Sequence, residues 1–171
     1  MKNIVLLFIT PLLYIVTCNA QVNKADKGAF KDFINCVTDG DDSCLKETPK
    51  YAWRLNFEQS ISLRDALAHS LIKSPESTID TLKIIDKETS QRGHSAIIDN
   101  YGTDIVCSYM IDSNKYSKES FFKYYSIAKS KLEKTGDKGK TCLDIMNSSV
   151  EETIYEEKMG KMKWGSEKYN F

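Results

Sequence analysis

The sequence predicts an all-α protein: a compact bundle of about five helices stapled by two disulfides, with at most a minor β-hairpin. Two observations carry this expectation. Apolar residues recur every three to four positions along most of the chain, the spacing of one helical face. Only three Pro and eight Gly interrupt 171 residues of which 41% are hydrophobic, so one domain can bury a sizeable core. A third observation, the cysteine count, supplies the staples.

The chain opens with a leader of secretory type over residues 1–20. Lys2 precedes an apolar run from Ile4 to Val16, and small or polar residues end at Ala20. The run is about 13 residues, well short of the roughly 20 that span a bilayer, so no membrane span is expected there. Two processing outcomes stay open. Cleavage after Ala20 gives a soluble protein, whereas acylation of Cys18 gives a membrane-tethered lipoprotein. Either way the expected location is periplasmic or secreted, in a bacterial envelope.

Cys18 leaves or is lipidated in both cases. Cys36, Cys44, Cys107 and Cys142 remain, and an even number in an exported chain reads as a disulfide framework. The expected pairs are Cys36–Cys44 and Cys107–Cys142, one tight loop and one longer. Zinc is not expected: the cysteine spacings fit no finger or ribbon, and only two His accompany them.

Downstream of the leader, residues 21–160 read as a single helical domain. Phe30, Phe33, Ile34 and Val37 mark a first helix over about Asp26–Val37, broken by Asp39-Gly40-Asp41-Asp42. A second helix is expected over Leu63–Lys73 with Ser62 as its cap. Ser74-Pro75 opens a third, because proline is pre-set for the first helical position. Ser117 caps a fourth that runs to Thr135, with Gly136 just past its end. The last spans Thr141–Lys158. Tyr51–Phe57 and Asp104–Ile111 are short, aromatic and β-branched, fitting either a strand or a buried helical turn. Residues 161–171 carry no stripe and are expected to fray.

Charge excludes some function classes. Lys and Arg total 24 and so do Asp and Glu. Losing Lys2 with the leader leaves a net charge of 23 − 24 = −1. No positive field draws nucleic acid or an anionic surface. Arg54, Arg64 and Arg92 are the only arginines, which argues against forked phosphate recognition.

The candidates for chemistry are few. His69 lies off its helix's apolar stripe and is expected in solvent, and His94 follows Arg92-Gly93 in a loop. With every mature cysteine oxidised, neither has a thiol to activate. Asp39, Asp41 and Asp42 crowd one loop, yet Cys44 stands where a calcium loop needs Gly and Lys50 where it needs Glu. Glu151, Glu152, Glu156 and Glu157 read as a charged outer face. No catalytic residue, cofactor or metal is therefore expected, and the protein is not expected to be an enzyme.

The aromatics form the one candidate surface. Tyr116, Phe121, Phe122, Tyr124 and Tyr125 fall within ten residues, and Phe122 and Tyr124 lie to either side of the helix's own stripe. Phe122, Tyr124, Tyr116 and the tail's Trp164 are the expected partner surface. The favoured function is an exported, non-enzymatic binding protein of inhibitor or immunity type, which occludes a toxin or hydrolase. A carrier of a small apolar ligand in the bundle core, or an enzyme without a readable motif, are the alternatives.

Overall fold

The computed structural model describes residues 24–52, 55–92, 101–112 and 114–169. The expected leader with Cys18, the loop histidine His94 and the terminal Phe171 lie outside them. Seven α-helices form among the described residues: α1 (Lys24–Thr38), α2 (Asp42–Ala52), α3 (Phe57–Lys73), α4 (Pro75–Arg92), α5 (Thr103–Asp112), α6 (Lys118–Lys134) and α7 (Lys140–Lys158). A 3-10 turn, Gly136–Lys138, joins the last two.

Helix α3 is the hub, packing against α1, α4, α5 and α6. Its composition permits this. Leu63, Leu67, Leu71 and Ile72 supply apolar volume, while buried Ala66, Ala68 and Ser70 keep other flanks thin enough for neighbours to close in. A helix buried on so many sides has no wide solvent face. The core continues through Ile79, Leu82 and Ile85 of α4, Phe121 and Leu132 of α6, and Met146 and Val150 of α7.

Helix α3 also begins six residues earlier than its apolar stripe indicates. Asn56 accepts from the Gln59 backbone N–H at 2.9 Å, and the Gln59 side chain accepts from the Asn56 N–H at 3.0 Å. This reciprocal capping box sets the start. Ser62, the expected cap, instead donates to the Glu58 carbonyl within the helix. Pro75 does open α4, but the Ser74 hydroxyl reaches across to the Gly40 carbonyl at 2.6 Å. Gly40 has φ +74°, and a Cβ there would meet Ser74 Oγ at 2.8 Å. Ser117 caps α6 as expected, and Gly136 follows it.

Two helices are additions to the expected five. Helix α5 settles the ambiguity of Asp104–Ile111 in favour of helix. Helix α2 ends in Tyr51–Ala52 and carries Pro49 in its interior. Proline has no N–H for the carbonyl four residues back, here that of Leu45. Thr81 of α4 fills the gap, its hydroxyl donating to the Leu45 carbonyl at 3.0 Å. No strand forms among the described residues, so the minor hairpin is not found there; Tyr116 and Glu167 make an isolated parallel bridge.

Both disulfides take the expected pairing. Cys36–Cys44 ties the end of α1 to the start of α2, and Cys107–Cys142 ties α5 to α7. These two ties, with α3 between them, hold the surfaces described next.

Candidate functional site

The aromatic cluster of α6 faces inward. Tyr124 is 2% exposed and donates its hydroxyl to the Ala68 carbonyl of α3 at 3.0 Å. Phe122, Tyr116 and Trp164 are half-buried. The expected partner surface is thus corrected at Tyr124, which belongs to the core; of the others, Phe122 packs against Trp164 and Tyr116 against Tyr169.

That segment is the second correction. Residues 161–169 are a strap laid across the bundle. Ser117 N–H donates to the Glu167 carbonyl at 2.8 Å, Glu167 N–H to the Lys115 carbonyl at 3.2 Å, and Tyr169 N–H to Ser120 Oγ at 3.1 Å. Trp164 sets its ring 5.0 Å from Phe121 and donates its indole N–H to Glu157, which also pairs with Lys118 at 2.7 Å. Both contacts hold the Glu157 carboxyl below the usual carboxylate range, the lysine first. A stripe search misses this segment because its anchors, Trp164 and Tyr169, sit in extended chain with no helical period. Two aromatics in a terminal tail are the signal that would have found it.

His69 is the third correction, being half-buried rather than solvated. The helical period places it off the stripe of α3, but Tyr169 of the strap covers it. Their rings stack at 4.8 Å, and the Tyr169 hydroxyl lies 2.8 Å from His69 Nδ1. Burial is the largest influence and pushes the imidazole below its ordinary value; Asp65 opposes this, while Lys73 and Lys115 add to it. Burial also holds the Tyr169 phenol well above its ordinary value, so it stays protonated.

The acidic loop is committed to structure. Asp41 accepts from the Ser43 and Cys44 N–H groups at 2.8 and 3.2 Å, capping α2. Its carboxyl is lowered by those bonds, first of all by the Ser43 hydroxyl. Asp39 pairs with Lys73 at 2.8 Å and Asp42 accepts from Ser77 at 2.5 Å. Cys36, Asp41 and Cys44 bring their donor atoms within 4.8 Å of one another, but both sulfurs are spent in the disulfide. That trio offers a metal one carboxylate and no thiolate.

Among the described residues a broad, shallow depression of about 490 Å³ lies between α5 and α7 at Asp104, Ser108, Asp144 and Ser148, and two tighter concave places stand apart from it. A cleft of about 230 Å³ beside Cys107–Cys142 has Ile79 and Leu82 as its apolar wall. Its polar rim already holds elements together. Asp86 accepts from the Thr103 N–H and hydroxyl at the start of α5, and Lys138 donates to Asp80 at 2.7 Å.

The other is a groove of about 210 Å³ between α1 and α2, lined by Ala29, Phe30, Phe33 and Tyr51. Phe33 and Tyr51 put their ring centroids 4.6 Å apart. Tyr51 is 46% exposed. It points about 120° away from Leu45, at the centre of the buried face of α2. The helical period puts Phe30 and Phe33 on the stripe of the first helix and Tyr51 in a stretch that fits either a strand or a buried helical turn, so the groove is not evident without α2. The Cys36–Cys44 bond lies between the two helices that form this groove, so its walls are pre-set.

No protein-family model, no curated protein and no solved structure matches the chain.

Proposed function

We propose that this chain is an exported, non-enzymatic binding protein of inhibitor or immunity type, which occludes a toxin or hydrolase in the periplasm. The observation that carries the reading is the aromatic groove of Phe30, Phe33 and Tyr51 on a disulfide-pinned helix pair. Rigid, half-exposed aromatics are the residues that anchor protein partners, since they offer large area at small entropy cost. Two disulfides fit an oxidising compartment. A net charge near zero leaves apolar contact as the main source of affinity.

The test uses the chain exported with its own leader. Wild type is expected to retain a hydrolase from envelope extract and to suppress that hydrolase's activity. Phe33→Ala with Tyr51→Ala removes two anchors, and affinity is expected to fall by a factor of about 100 or more, the scale of a lost hot spot. A double variant that inhibits as well as wild type removes the groove from the mechanism. A wild type that captures no hydrolase removes the function. Mass spectrometry of the mature N-terminus decides between cleavage after Ala20 and acylation of Cys18.

A further inference from the structure

The strap and the imidazole beneath it form a coupled pair. Tyr169 is the last anchor of a segment that leaves α7 through Gly160, and its ring covers His69, Tyr124 and Tyr116 together, with centroids 4.8, 5.1 and 5.7 Å away. Removing Tyr169 from its seat would return His69 to solvent and uncover the aromatic face of α6. We propose that the strap is an acid-released cover, in which protonation of His69 undocks Tyr169.

The physical basis is linkage. A proton binds more tightly to a solvated imidazole than to one packed under a phenol ring, so protonation favours the state in which the strap is off. The Tyr169 hydroxyl meets His69 Nδ1 at 2.8 Å, and the imidazole tautomer sets which of the two donates. The groups acting on His69 are Asp65 and Lys73 from α3, Lys115 from the turn before α6, and Tyr169 itself, whose other sides pack against Tyr116 and Tyr124. Lys73 is paired with Asp39 and Lys115 with Glu167. Asp65 favours the proton, but burial outweighs it. The latch therefore contributes its full share above the ordinary imidazole range near 6.5 and loses it as pH falls below that value.

The chain has only two histidines, so the His69 signal is assigned by its loss in His69→Gln. NMR titration of the imidazoles in wild type and in Tyr169→Ala measures one side of the coupling. His69 is expected to titrate below the ordinary imidazole range in wild type and to rise to that range in Tyr169→Ala. Hydrogen exchange of the Tyr169 amide, corrected for intrinsic rate, measures the other side. Opening is expected to increase about tenfold for each unit by which strap docking lowers the His69 value, and to stay flat with pH in His69→Gln. The cover is refuted if His69 titrates alike with and without Tyr169. It is equally refuted if strap opening in His69→Gln keeps the wild-type pH dependence. Neither measurement depends on the α1–α2 groove or on a hydrolase partner.

Discussion

At the scale of single residues, this fold is held by side chains that answer specific backbone needs. Pro49 is the sharpest case. It leaves the Leu45 carbonyl without its helical donor, and Thr81 supplies one from a different helix while both residues are buried. Thr81→Val keeps shape and removes the donor, so it is expected to cost about 1–2 kcal/mol by urea denaturation, the scale of a buried unsatisfied carbonyl. Pro49→Ala restores a backbone donor at Leu45. In the Pro49→Ala background the same Thr81→Val change is expected to cost less than half as much. Equal costs in both backgrounds would mean that the hydroxyl does not serve the proline gap. None of this was legible beforehand, because a threonine 36 positions from its acceptor leaves no local pattern. The helix starts at Ser117 and Pro75 were legible because each signal is local: Ser117 accepts from the Ser120 N–H three positions on, and proline is pre-set for the first helical position.

Elements were legible to the degree that they bury one face. Helices α4, α6 and α7 each carry a stripe, and their positions follow from it. Helix α3 shows a short stripe within a longer span, since its start is set by Asn56 and Gln59 rather than by apolar spacing. Helix α2 was missed because a proline and a threonine occupy its buried face, Leu45, Thr48, Pro49 and Ala52. The strap was misread for the complementary reason: extended chain that docks through two rings has no period to find. Its fit is nonetheless demanding. A Cβ on Gly165 would lie 2.0 Å from the Lys115 carbonyl oxygen and 2.3 Å from that of Asn114, a clash with backbone on both counts. Gly165→Ala is therefore expected to lift the strap while the helices stay folded. Far-UV circular dichroism should be unchanged, and proteolysis within residues 161–169 should become several-fold faster. Unchanged proteolysis would show that the strap finds another seat, and its register would then not be set by this contact.

At the scale of the whole molecule, the core and the proposed recognition groove rest on different disulfides. Cys107 and Cys142 are buried and join α5 to α7 across 35 positions, while Cys36 and Cys44 are half-buried and close only 8. Loop-closure entropy assigns them about 4 and about 2.5 kcal/mol. The first figure is a lower bound for its pair, since truncating buried sulfurs also leaves a cavity in the core. Against a total of roughly 5–15 kcal/mol, that loss is a large fraction. Cys107→Ala with Cys142→Ala is thus expected to lower the urea midpoint more than Cys36→Ala with Cys44→Ala. Partner binding should run the other way, because the smaller loop sets the angle between Phe33 on α1 and Tyr51 on α2. Binding at a temperature where both variants stay folded, checked by circular dichroism, separates the effects. The Cys36/Cys44 variant should lose affinity while keeping most of its stability, and the Cys107/Cys142 variant should keep affinity while losing stability. The reverse pattern would move the recognition surface to the α5–α7 side of the bundle.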